Sequence, residues 1–219
     1  MSNPAIIHPK MQNHYKRFSF IKNYYNYDPK NVLDIGALDG RWSQAMSQIF
    51  PDTKFLMIEA NKEMEEKLSS TNIDYIIAAL SDKVKETNYY KIGRGAGNAL
   101  YVENYGIKPK IEKIKTTTLD SIFDQNIKFN IIKLDVQGSE LDILKGGLNL
   151  FKKADFILTE CNIVEYNLGA PYFIDQVNFF NSYGFQLIDI IDLIYSPHLK
   201  EKGKLVQVDA LFKNNAFKI

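Results

Sequence analysis

The chain has 219 residues, of which 45% are hydrophobic and 24% charged, with a formal net charge of +1. That supplies a full core for one ordinary soluble domain and removes the basic signature of a nucleic-acid or membrane-surface binder. The lone cysteine, Cys161, excludes an internal disulfide, and no Cys/His spacing reads as a zinc site.

The first residues, MSNPAIIHPK, lack the apolar run of a signal peptide, and the longest apolar stretches are strand-sized. A cytoplasmic protein without a membrane span is therefore expected. Residues 15–27 place Tyr15, Phe18, Ile21 and Tyr25 on one helical face. This predicts an N-terminal helical cap (residues 1–30) on a core formed by residues 31–219, together one domain. A lid, or a contact in a homodimer, is the alternative use of that face.

An apolar run at 32–35 is followed by Trp42, Ala45, Met46 and Ile49 at helical spacing. Another run at 55–58, a charged helical stretch at 61–70 and a third run at 75–79 complete a βαβαβ order. That order predicts a parallel sheet with right-handed crossovers. Residues 87–118 read as hairpin-like strands around the loop Gly93-Arg94-Gly95-Ala96-Gly97, with a short helix at 119–123. The loop could cradle a phosphate through Arg94, but no P-loop lysine accompanies it, and a hairpin tip is the simpler reading. Strands at 130–135 and 156–160 follow, with a helix at 139–151 between them and a Pro-led helix at 171–183 after them. The last two runs, 185–191 and 206–212, lie close enough in sequence to pair antiparallel at the sheet edge.

Two turns carry chemistry. The segment Val32-Leu33-Asp34-Ile35-Gly36-Ala37-Leu38-Asp39-Gly40 ends a strand and opens a helix. Gly36 and Gly40 let the backbone turn tightly beside a ligand. Glu59 closes the next strand and can accept ribose hydroxyls, while Asp34 can receive an ammonium group. A dinucleotide fingerprint needs a glycine where Leu38 stands, so a nucleoside cofactor without pyrophosphate fits better than a nicotinamide cofactor. Ala37 and Ala60 belong to the same cofactor surface.

The second turn is Ile131-Ile132-Lys133-Leu134-Asp135-Val136-Gln137-Gly138-Ser139-Glu140. Alternation puts Lys133 and Asp135 on one face of a central strand. A buried lysine needs an anion, with Glu140 and Glu160 as candidates. Ser139 and Asp142 read as a capping box.

Taken together, "VLDIGALDGRWS", "FLMIEANKEMEEKL", "AALSD", "TTTLDSI", "IIKLDVQGSELDILKGG" and "FILTE" resemble the FkbM family of S-adenosylmethionine-dependent methyltransferases. The chain departs from the family at Leu38-Asp39, where Asn and an aliphatic residue are frequent, and at Gln137, where Glu is common. The resemblance implies a Rossmann-like class I methyltransferase sandwich, α/β, with a mostly parallel seven-stranded sheet and an antiparallel edge strand. It also implies O-methylation of a sugar or natural-product hydroxyl. A bacterial surface sugar, or a nucleotide-linked one, is the working acceptor.

By position, Asp34 or Asp135 would bind the amino-acid end of the cofactor and Glu59 the ribose. Ala79, Leu80 and Ser81 would flank adenine. Asp135, Glu160 and, in a late loop, His198 are the candidates for handling the acceptor proton. Asp135, Glu160 and Asn162 also resemble the ligand set of metal-dependent catechol-type methyltransferases and could hold a divalent cation. The competing readings are a nicotinamide-dependent oxidoreductase and a non-catalytic member of the fold.

Overall fold

The structure is a computed structural model that describes residues 7–92, 95, 97–104, 106, 108–196 and 202–218. Helix α1 (Gln12–Tyr25) leads into β1 (Asn31–Ile35), α2 (Arg41–Ile49) and β2 (Lys54–Glu59). A 3-10 turn (Lys62–Met64) runs on into α3 (Glu65–Ser69), followed by β3 (Asp74–Ile77). After β4 (Ala79–Leu80) come β5 (Glu86–Lys91), β6 (Lys110–Thr117) and α4 (Leu119–Ile122). The chain then alternates through β7 (Ile131–Leu134), α5 (Glu140–Lys145), α6 (Leu148–Phe151), β8 (Phe156–Asn162) and α7 (Phe173–Ser182). It closes with β9 (Phe185–Tyr195) and β10 (Leu205–Asn214).

Seven strands form one sheet in the order β3-β2-β1-β7-β8-β10-β9. Strands β1, β2, β3, β7 and β8 pair in parallel, as the βαβαβ reading requires. β10 runs antiparallel to both neighbours. The expected antiparallel pair thus forms at the sheet edge, with the reversed strand lying one place in from it. A second sheet, β4-β6-β5, carries the hairpin-like strands of the middle segment. The apolar run expected at 75–79 divides at Ala78, so that β4 leaves the main sheet for this smaller one.

Period-two alternation sorts the central strands onto two cores. Leu33, Ile132 and Ile157 face α5, α6 and α7, where Leu144, Phe151 and Phe180 are fully buried. Val32, Ile131 and Phe156 face the other way, onto Trp42 and Met46 of α2 and Phe18 and Ile21 of α1. The sheet is covered on both faces, which is why the four residues of β7, including Lys133, are all buried. Among the described residues no helix is long and apolar enough to cross a membrane.

The helix expected over 139–151 is interrupted. A Cβ on Gly146 would lie 2.2 Å from the Ser81 carbonyl oxygen, and one on Gly147 would lie 2.7 Å from Leu119. The two glycines let the chain press against the end of β4 and against α4, and α5 stops there.

Candidate active site

The turn after β1 is fixed by contacts that only glycine tolerates. Gly36 has φ +76°, and a Cβ there would sit 1.9 Å from the Asp135 carbonyl oxygen. The β1 and β7 turns therefore touch backbone to backbone. Glu59, at the end of β2, fastens the strap: its carboxylate accepts from Leu38 N–H at 2.8 Å and from Asn61 N–H at 2.8 Å. Burial pushes the Glu59 carboxyl above the ordinary range, and these two N–H groups oppose the shift. Gly40, also left-handed, packs beneath the turn on Met57 and Thr71 and does not line the cavity.

Behind the strap, Lys133 reaches Asp34 at 3.1 Å and Asp135 at 3.4 Å. Asp34 is fully buried and also accepts from Ser43 Oγ at 2.8 Å. Parallel register sets this pairing, because Asp34 and Lys133 are Cα partners across β1 and β7. The partners expected for Lys133, Glu140 and Glu160, are thus replaced by Asp34 and Asp135. Burial alone would lower the Lys133 pKa, but the two carboxylates outweigh it and hold the ammonium above the usual lysine range. Asp34 is committed to this pair and does not line the cavity, whereas Asp135 does.

Glu140 is buried and holds the β7 turn from within, accepting from Val136 N–H and Gly138 N–H at 3.2 Å each. Burial pushes its carboxyl up to about 7. The expected capping box of Ser139 with Asp142 does not form. Ser139 makes no capping hydrogen bond, and Asp142 accepts from Tyr101 OH instead.

Beyond Asp135 lies a carboxylate bridged by amides. Gln137, held at φ +56°, donates to Glu160 at 2.7 Å and to Asp135 at 3.4 Å. Gln207 donates to Glu160 at 2.8 Å and to Asn162 at 3.2 Å. A glutamine amide therefore stands between Glu160 and each of the other two members of the proposed Asp135, Glu160 and Asn162 ligand set, and Asn162 does not line the cavity. This donor arrangement does not fit a cation at that point. Burial and the nearby charges of Asp135 and Asp209 push the Glu160 carboxyl well above its ordinary range.

A third carboxylate group flanks Glu160. His14 Nε2 lies 2.9 Å from Asp209 and 3.3 Å from Asp192, and its Nδ1 accepts from Trp42 Nε1–H at 3.1 Å. Burial would depress the imidazole pKa, but hydrogen bonds to Asp192 and Asp209 carry it up to about 9. The indole N–H opposes full protonation, since it can bond only to an unprotonated Nδ1. These three side chains are close enough to share a metal ion. The Trp42 bond, however, keeps the ring proton on Nε2, the atom that would have to coordinate, so this set does not fit a cation either.

All these groups surround one cavity of about 520 Å³ at the carboxyl ends of β1, β2, β7 and β8, the position where open α/β sheets bind ligands. Of the residues singled out in the sequence, Gly36, Ala37, Glu59, Ala60, Ala79, Leu80, Asp135 and Glu160 line it. Ser81 is buried behind it and bonds to Asp82. His198 and Arg94 lie outside the described residues. Gln137, where the chain departs from the family, lines the cavity too, and Trp42, Tyr89, Ser139, Asp192 and Asp209 line it without having been singled out for it. Ser139 Oγ is buried there with no hydrogen-bond partner among the described residues.

This sheet order, its single reversed strand and a cavity floored by a glycine turn and an acidic β2 end define a Rossmann-like class I methyltransferase. The chain matches the methyltransferase FkbM domain over residues 34–187 and belongs to that family; it is an S-adenosylmethionine-dependent methyltransferase. No curated protein matches it in sequence. Among solved structures it is similar to the precorrin-6y C5,15-methyltransferase of Geobacter metallireducens, with 10% identity and a TM-score of 0.53, covering 97% of this chain and 94% of that one. It is also similar to an S-adenosylmethionine-dependent methyltransferase of Clostridium acetobutylicum, with 10% identity and a TM-score of 0.52, over 96% and 93% of the two chains. The plantazolicin methyltransferase BpumL, solved with a pentazolic desmethylPZN analogue and SAH, gives 12% identity and a TM-score of 0.53 over 94% and 85%. At these identities the likeness is one of fold.

Proposed function

We propose that the protein transfers the methyl group of S-adenosylmethionine to a hydroxyl of a sugar or sugar-like acceptor. The observation that carries this reading is the amide-bridged Glu160 carboxylate, set in the cavity wall beside Asp135.

The cavity lies in the size range of small-ligand sites and suits a nucleoside. Ala60, Ala79, Leu80 and Ile143 offer an apolar slot for the base. Glu59 offers carboxylate lone pairs to the ribose, and the unpartnered Ser139 hydroxyl offers a further polar contact. Asp135, oriented by Lys133, would receive the amino group. When bound, S-adenosylmethionine supplies a methyl carbon already activated by positive sulfur. The chain then has to align the acceptor oxygen and remove its proton. Asp135 is held in an ion pair with Lys133, so we assign the proton to Glu160. Its Oε2 accepts from two amides, which fix the carboxylate, and its raised affinity for protons suits a base.

A mass-spectrometric screen of sugars, nucleotide sugars and small alcohols with the deuterated methyl donor, run with and without chelator, tests this reading. We expect a methyl ether, undiminished by chelator. Methyl transfer only to nitrogen or carbon acceptors would refute it.

A further inference from the structure

We propose that Glu160 and Asp209 form a proton-sharing carboxylate pair at the acceptor end of the cavity, and that His14 is the positioning residue that holds Asp209 in the pair. The proposal rests on the hydroxyl-methylation reading above.

Glu160 and Asp209 are direct Cα partners across the antiparallel β8 and β10 ladder. Opposed residues in such a ladder place their Cβ atoms about 4.5–5.5 Å apart on one face. Both line the cavity. Each is anchored from the side: Glu160 Oε2 by the Gln137 and Gln207 amides, and Asp209 Oδ2 by His14 Nε2. Asp209 Oδ1 has no hydrogen-bond partner among the described residues. Trp42 fixes the imidazole in the tautomer that donates to Asp209. His14 is only 3% exposed, so its contact with the acceptor is through Asp209.

The titratable groups facing the pair are Lys133, Asp135, Glu140, Asp192 and His14. Carboxylates on opposed strand partners facing one cavity disfavour each other's ionisation, and burial pushes both upward. With one proton between them the pair carries a single negative charge. As the acceptor oxygen bonds to the methyl carbon, the carbon–sulfur bond breaks and its electrons stay on sulfur. The hydroxyl proton passes to the pair, which becomes neutral. His14, Asp192 and Asp209 all lie outside the family-matched segment of residues 34–187, so the flanks supply the partner carboxylate and its support to Glu160, which lies inside that segment.

The test is carboxyl-carbon NMR of the purified full chain, saturated with S-adenosylhomocysteine and titrated with acid and base. Wild type should show Glu160 and Asp209 titrating in two coupled steps at least ~2 pH units apart. His14→Ala should shift the Asp209 step and narrow the gap, and His14→Gln, which keeps an N–H donor, should restore most of it. Should His14→Ala fail to fold, Asp209→Asn serves instead and should lower the Glu160 step by about one pH unit. Independent titration of the two groups in wild type overturns the proposal, as does a Glu160 step unmoved by Asp209→Asn or steps unmoved by His14→Ala. A Glu160→Gln enzyme that still methylates its acceptor would instead remove the hydroxyl-base reading and leave the paired titration standing.

Discussion

Glu160 carries the catalytic assignment, and its substitution is the most direct residue-level test. Glu160→Gln keeps the shape and one acceptor oxygen while removing the base, and turnover should fall by about 10²–10⁴-fold. Because burial raises its pKa, the wild-type rate should climb as pH rises through that elevated value, and a rate that falls over this limb would contradict the role. Lys133 tests the buried charges. Lys133→Met strands Asp34, which is fully buried, and should cost about 3–5 kcal/mol in denaturant unfolding; a loss under ~1 kcal/mol would mean that Asp34 finds another partner. Glu140 gives a pH signature of its own. Burial pushes its carboxyl up to about 7 in the folded state, above the ordinary glutamate value of 4.5. The folded state therefore holds its proton more tightly, and this group's stability contribution is present below 4.5 and lost as pH rises through 7. Glu140→Gln should flatten that slope. At this scale the sequence was legible where one residue type has one use. Gly36, Glu59 and Asp135 fall in the cavity wall. Asp34 was misplaced because period-two alternation gives the face of a side chain but not its partner across the sheet, and the β1–β7 register assigned Asp34 to Lys133. Asp192 and Asp209 did leave a signal, as carboxylates inside the apolar runs "FQLIDIIDLIY" and "LVQVDALF", and so did His14, one turn before Phe18 and two before Ile21 on the buried face of α1.

At the scale of elements, the parallel strands were readable because both of their faces are covered, which leaves continuous apolar runs. The interruption of the helix at Gly146 was harder to see. A glycine pair inside a helical pattern is tolerated locally, and only the approach of the Ser81 carbonyl to 2.2 Å from a Gly146 Cβ explains it. Gly146→Ala should therefore destabilise by more than the 1–3 kcal/mol usual for overpacking, because the obstacle is backbone. Helix α7 makes the opposite case. Phe180 stacks on Phe212 with ring centroids 4.2 Å apart and is fully buried. Phe180→Ala should cost about 3–5 kcal/mol and loosen β10, the strand that carries Asp209 and Gln207.

At the scale of the whole molecule, two cores meet across one sheet, and we expect one cooperative thermal transition in which the residues of α1 melt with the rest; a separate early transition of α1 would contradict the single-domain reading. The cavity is lined mostly from the family-matched segment, with Asp192, Leu193, Ile194 and Asp209 of β9 and β10 added from beyond it, where we propose that the acceptor sits. This explains why the cofactor was legible in sequence and the acceptor was not. The central claim is that this cavity holds S-adenosylmethionine on the strap between Gly36 and Glu59, and calorimetric titration with S-adenosylmethionine and, separately, NAD tests it most directly. The account predicts one-site binding of S-adenosylmethionine, weakened at least ~10-fold by Glu59→Ala through the lost ribose contact and strap anchor, and no saturable binding of NAD. Tight NAD binding, or S-adenosylmethionine affinity unchanged in Glu59→Ala, would contradict it.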